Sequence, residues 1–263
     1  MIKLHDEHKT ELIEFLNQDP YTNLFLVGDL LAFGFEDSIQ RYYGFYENGK
    51  IECVLFRFRD DSLHVFGNLT EEVFETIEMF VKIESFPRIF MGEATWEQVR
   101  GEFDYLIQTD NISTLSVYCP NGVKKDDYEV KRLFSEDAHD CIQLMKHHFT
   151  GQPLTVEQYA KELDSQERVS YGIKVAGKLV SIASYVAKTA DAAMIIGVCT
   201  DEHFQKRGYA SAIVKLMSDD LYAEGRKGVL FYTNPVAARI YERLGYKPYA
   251  RYHMIDLKRS EEN

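Results

Sequence analysis

Paired cysteines, a basic stripe and a long apolar run are all missing from this 263-residue sequence, and each absence removes a class of protein. The four cysteines, Cys53, Cys119, Cys141 and Cys199, lie far apart with no C-x-x-C spacing. That argues against a disulfide scaffold and a metal site, and it predicts free thiols in a reducing cytoplasm. Acidic residues outnumber basic ones to a formal net charge of -12, so no nucleic-acid surface is expected and cationic small molecules suit the chain better. Residues 1–9 alternate charged and apolar side chains without an h-region, which predicts no secretory signal. The most apolar stretch, 24–35, is broken by Asp29 and is too short to span a bilayer, so no membrane partner is expected either.

What is present is an ordinary globular composition. Hydrophobic residues make up 45% and charged residues 27%, enough apolar surface to bury a real core. At this length the chain can hold one large domain or two small ones. Periodicity predicts a helix over 6–16, stopped by Asp19-Pro20, then a second apolar segment over 21–32. Strand patterns at 42–46 and 51–58 flank Asn48-Gly49 as a hairpin, and a third strand at 62–66 completes a meander. Thr70 precedes a helix expected to bury Val73, Ile77, Phe80 and Val81. A strand at 88–91, a helix over 95–103 and a strand at 113–118 follow. The polar stretch 120–127 (PNGVKKDD) is the expected boundary between domains at 1–122 and 127–263.

Beyond that boundary the same order begins again. A strand at 128–134 leads to a helix over 135–148 capped by Ser135, and Thr155 opens a helix over 156–163. Strands at 169–175 and 179–187 meet at Ala176-Gly177, and a third, mostly apolar strand runs over 192–200. Both halves therefore read strand, helix, helix, three antiparallel strands, helix, strand, helix, strand, with negligible identity between them. The expected class is α+β, a mixed and mostly antiparallel sheet flanked by helices.

The chemistry concentrates in residues 194–245. Gln205-Lys206-Arg207-Gly208-Tyr209-Ala210 links the apolar strand to a helix carrying Ala210, Ile213, Val214, Met217 and Leu221 on one face. A loop opening a helix offers unpaired N–H groups at the positive end of the macrodipole, which together attract anions. Gly208 leaves room for a phosphate, and Ala210 keeps the first turn small. An ordinary tight turn with a solvated Lys-Arg pair is the other reading of these residues. The later segment, 234–246, adds specificity: Asn234 is a cap, Pro235 suits the first helical position, and Gly245 terminates a short helix.

Together the two segments resemble the GNAT superfamily of N-acetyltransferases. Its acetyl-CoA loop, Q/R-x-x-G-x-G/A, is matched by Gln205, Gly208 and Ala210; its later helix is matched by Asn234, Ala237, Tyr241, Gly245 and Tyr246. The resemblance covers 128–259 by motif and the residues before 120 by element order only. It implies acetyl-CoA as co-substrate, with Val198, Cys199 and Thr200 along the pantetheine arm and Gly197 at a bulge. By the same likeness Gln205, Lys206, Arg207, Gly208, Tyr209, Ala210 and Ser211 would hold the pyrophosphate. Asn234 and Ala237 would face the pantetheine, and Tyr241 would lie near the thioester sulfur. The implied reaction is acetyl transfer to a primary amine, of a small molecule or an exposed amino group, in a monomer or homodimer. A non-catalytic acyl-CoA-binding module, or a transferase of longer acyl groups, has the same signature.

Tyr241, protonated at neutral pH, can serve as general acid to the leaving thiolate; a core aromatic on a short helix is the competing role. The family's usual glutamate has no counterpart within 192–200. Asp191, Asp201 and Glu202 flank that strand as surface charges, and Tyr171, Tyr185, His147 and His148 are further polar candidates near the acceptor. Cys199 reads as a small strand residue rather than a nucleophile. In the first half the equivalent loop is only Gly67-Asn68-Leu69, so that half is expected to be a degenerate copy that does not bind CoA.

Overall fold

The structure, a computed structural model, describes residues 1–59, 61–84, 86–123, 127–149 and 154–258. Residues 124–126 of the expected linker, and Thr150 and Gly151 beyond the two histidines, lie outside the described residues. The chain forms two compact units, one made of residues 1–115 and 249–263, the other of 116–248.

The first unit starts with strand β1 (Ile2–Lys3), a 3-10 turn (Asp6–His8) and helices α1 (Lys9–Leu16) and α2 (Leu24–Phe33). The hairpin of β2 (Gln40–Glu47) and β3 (Lys50–Phe58) turns at Asn48-Gly49, both with positive φ, as a two-residue turn between twisted strands requires. Next come β4 (Ser62–Gly67), α3 (Glu71–Glu84), β5 (Arg88–Gly92), α4 (Glu93–Val99) and β6 (Ile107–Tyr118). α3 buries Val73, Ile77, Phe80 and Val81, the stripe expected from their spacing. It is the crossover between the parallel strands β4 and β5. Residues 252–256 of the last strand, β12 (Tyr246–Leu257), pair antiparallel with β5, Ile255 opposite Ile89. On one face, Tyr42, Phe56, His64 and Phe90 stand directly opposite one another across four strands, with Tyr42 and Phe56 stacked at 4.4 Å and His64 and Phe90 at 4.7 Å. Such cross-strand aromatic pairs hold register.

The second unit repeats this order. It contains β7 (Lys131–Leu133), a 3-10 turn (Ser135–Asp137), α5 (Ala138–Met145), α6 (Val156–Asp164), β8 (Val169–Val175), β9 (Lys178–Val186) and β10 (Ala192–Thr200). After α7 (Tyr209–Ala223), β11 (Lys227–Tyr232) and α8 (Pro235–Leu244) the chain enters β12. β7 to β10 are antiparallel neighbours, and β10 and β11 are parallel with α7 as their crossover. α7 packs Ile213, Val214 and Met217 against Val180, Ile195 and Leu230 of the sheet. Thr155 caps α6 as expected, its Oγ accepting from the N–H of Gln158 at 3.1 Å. Ser135 does not cap α5. The chain makes a 3-10 turn first, with the Phe134 N–H donating to the Asp137 carboxylate at 3.1 Å, and no side chain caps the start of α5.

No helix among the described residues is long and apolar enough to cross a membrane.

Candidate functional site

The site grows out of β10. Its pairing with β11 runs only from Ala192 opposite Lys227 to Met194 opposite Val229, after which the two strands part. On its other side the register with β9 slips between Ile196 and Cys199. Gly197, with φ of +63°, sits in that slip and makes the expected bulge, since a strand that gains a residue needs a backbone conformation that side chains resist. The backbone of Gly197 and Val198 is thereby turned out of the regular ladder. Cys199 packs its buried thiol into the cluster formed with α5, and burial pushes that thiol up to about 12, so it is no nucleophile at neutral pH. Only the main chain of Cys199 is left to face a ligand.

The loop from β10 to α7 is the second part. Lys206 and Gly208 both have positive φ, +60° and +85°, which turns consecutive N–H groups toward one side. Among the described residues no protein acceptor is found for the backbone N–H of any residue from Gln205 to Ser211. Three side-chain clasps hold the loop in this shape. The Gln205 amide donates to the Thr200 carbonyl at 3.2 Å. The Arg207 guanidinium donates to the His203 carbonyl at 3.2 Å and lies over the Phe204 ring, so it braces the turn with its charge partly committed. Finally, the Tyr128 hydroxyl donates to the Arg207 carbonyl at 2.6 Å while its ring packs edge-on against Tyr209 at 4.9 Å.

Tyr128 was not legible as a site residue, because it lies 79 positions before the carbonyl it holds and no local pattern marks it. Tyr128→Phe is expected to weaken CoA binding roughly three- to tenfold, the worth of about one hydrogen bond. Titration calorimetry would measure it, and an affinity equal to wild type would show that the clasp does not shape the loop.

α8 is the third part. Asn234 caps it, accepting from the Ala237 N–H at 2.7 Å, and Gly245 ends it. The Ala237 N–H is thus spent on the cap, while the Asn234 amide nitrogen keeps its donors. Tyr241 is half-buried between Tyr232, stacked at 6.0 Å, and Tyr246, edge-on at 5.9 Å. Burial raises its phenol above the ordinary value, so it stays protonated at neutral pH, and its hydroxyl has no hydrogen-bond partner among the described residues.

The other polar candidates lie elsewhere. Asp201 is held ionised by Lys178 at 2.6 Å and by the His203 N–H. Tyr171 and Tyr185 line a cavity of about 290 Å³ with Asp220 and Glu224, against the last turn of α7, at the opposite end of that helix from the loop. His147 lines a cavity of about 540 Å³ with Asp140, Gln143 and Lys178. The backbone N–H of His148 and of Phe149 close α5 onto the Met145 carbonyl.

The corresponding loop of the first unit is closed by its own side chains. The Asn68 N–H donates to the Glu52 carbonyl at 2.8 Å, and the Leu69 N–H to the Gln98 side chain at 2.9 Å. Gln98 in turn donates to the Gly67 carbonyl at 3.2 Å, and any Cβ at Gly67 would meet the Glu52 oxygen at 2.2 Å. The donors that are free at 205–211 are consumed here.

Comparison with known proteins agrees with this geometry. Residues 170–255 match the family model described as FR47-like protein. No curated protein matches the chain. A GNAT-family acetyltransferase from Colwellia psychrerythraea superposes with a TM-score of 0.60 at 14% identity, over 98% of this chain and 99% of its own. A tandem GNAT protein from the clavulanic acid biosynthesis pathway gives 0.64 at 11% identity, over 99% of each chain. A Drosophila protein gives 0.71 at 14% identity, over 98% of each. The chain has the fold of the GNAT acetyltransferases, in the tandem arrangement. Its FR47-like segment holds β10, the loop and α8, the three parts of the site.

Proposed function

We propose that residues 127–263 are an N-acyltransferase that moves acetyl from acetyl-CoA to a primary amine by direct attack in a ternary complex, and that residues 1–122 are a copy without a CoA site. One observation carries the reading: a run of free main-chain donors, from Gln205 to Ser211, at the N-terminus of a 15-residue helix and directly after a splayed, bulged strand. The donor set fits a diphosphate, for which oriented N–H groups and the helix dipole are a sufficient cradle. The freed strand backbone at Val198 fits an amide-bearing arm as an added strand would.

Bound there, acetyl-CoA would supply the thioester. Asn234 would donate its amide hydrogens to the pantetheine, and main-chain N–H near Val198 would polarise the carbonyl oxygen. Tyr241 would deliver a proton to the sulfur as the C–S bond breaks, a role open to a phenol that is protonated at neutral pH, and the proton that the attacking nitrogen loses would pass to solvent. Most of the acceleration would come from holding amine and thioester together. The acidic surface favours a cationic acceptor, taken up as a free amine or as an exposed amino group of a larger molecule.

Tyr241→Phe is expected to lower kcat about a hundredfold, the scale of one lost general acid, with CoA affinity unchanged. Thiol release from acetyl-CoA across a panel of amines, amino acids, polyamines and peptides measures it. CoA binding without acceptor-stimulated thiol release for any of them would leave a CoA-binding module in place of the enzyme.

A further inference from the structure

The N-terminus of α7 faces more positive charge than a diphosphate cradle made of main chain requires. Arg243, in the last turn of α8, donates from Nη2 to the Ser211 Oγ at 3.3 Å. Ser211 lies in the first turn of α7 and is only 7% exposed. Its hydroxyl accepts from Arg243, but its own proton has no acceptor among the described residues. The backbone of Arg243 is fixed as well, since its carbonyl accepts from the Asn121 amide at 3.0 Å.

This guanidinium has no carboxylate partner among the described residues, although the chain carries a net charge of -12. Lys215, one turn along α7 from Ser211, does have one, Asp219 at 2.6 Å. A cation beside the positive end of a helix is unfavourable unless an anion joins it. Arg239, one helical turn before Arg243 and so on the same side of α8, and Lys206 on the loop also lack a carboxylate partner among the described residues. One uncompensated guanidinium, Arg243, therefore meets a buried, half-satisfied hydroxyl at the start of α7.

Resting on the CoA reading above, we infer that Arg243, anchored on Ser211, binds the ribose 3′-phosphate of CoA and makes the site selective for CoA over its dephosphorylated form. The main chain at 205–211 takes the diphosphate, which carries two charges. The 3′-phosphomonoester adds nearly two more at neutral pH and offers three acceptor oxygens, the partner a guanidinium fork prefers. Ser211 then gains the acceptor that its proton lacks.

The test is titration calorimetry of the full chain with CoA and with 3′-dephospho-CoA, at one fixed ionic strength. Wild type is expected to bind CoA at least about tenfold more tightly, and Arg243→Ala to weaken CoA by about that factor while leaving dephospho-CoA within about twofold, so that the two ligands converge. Arg243→Lys should retain part of the preference, and Ser211→Ala, which removes the anchor and the hydroxyl proton but leaves the guanidinium, should lose part of it. Equal affinity of wild type for the two ligands, or an equal loss of both in Arg243→Ala, overturns the assignment while leaving CoA binding intact. Failure of wild type to bind either ligand overturns the cofactor reading itself. Melting curves of both variants identify any loss that comes from unfolding; if Arg243→Ala melts early, Ser211→Ala decides by the same comparison.

Discussion

Gly208→Val abolishes measurable CoA binding, by calorimetry or by thiol release, in protein that is still folded. Two effects add. The φ of +85° at Gly208 lies in the region that a β-branched residue enters only under strain, at a cost of roughly 1–3 kcal/mol, so the loop would relax and the N–H groups would lose their common direction. Even an unrelaxed loop would present two methyl groups where phosphate oxygens must approach the main chain. Gly225 provides the control. Its φ is +82°, and a Cβ there meets nothing within 4 Å, so Gly225→Val imposes similar strain at the far end of α7. Gly225→Val should lose stability and keep CoA. Retained binding in Gly208→Val, or equal loss in both variants, would mean that the loop is not the phosphate cradle.

Asp29→Asn stabilises the first unit at pH 8 and has little effect at pH 4. Asp29 lies in α2 beside the buried Leu26 and Leu30, and its carboxyl has no hydrogen-bond partner among the described residues. Burial raises its pKa from 3.8 to about 7, and the Arg59 charge only partly opposes that rise. Because the folded value lies above the unfolded one, stability is complete below about pH 4. It falls as the pH climbs toward 7 and is level beyond. At about 1.4 kcal/mol per tenfold change in proton affinity, the full loss is at most about 4 kcal/mol. Asparagine has the same shape and carries no charge to desolvate. Thermal melts from pH 4 to 8 should show the variant and wild type diverging steadily with pH, by several degrees at the upper end. A gap that is constant in pH would show that this carboxyl is not the group being titrated.

Much of the site was legible because it is local. The cap at Asn234, the proline after it, the bulge at Gly197 and the small residues at 208 and 210 each act on backbone within a few positions of themselves. Sequence spacing therefore reports them directly. The repeated element order was legible for the same reason, since hydrophobic period and turn residues are near-neighbour properties. Ser135 failed as a cap because the chain enters a 3-10 turn at that position, so α5 begins three residues later, at Ala138.

The residues missed are those whose partners are distant in the chain. Tyr128 braces the loop across 79 positions, Arg243 meets Ser211 across 32, and Gln98 closes the first unit's loop across 29. Nothing in the flanking residues of any of them distinguishes it from an ordinary surface side chain. The pairing of β12 with β5 is of the same kind: a strand advertises its exposed donors and acceptors, and only packing selects which edge receives them. Sequence alone thus determined the elements, their order and the backbone form of the β10 loop, all of which follow from local backbone preference. Tertiary structure decided which loop keeps its N–H groups free and which has them filled, because that depends on side chains delivered from distant parts of the chain.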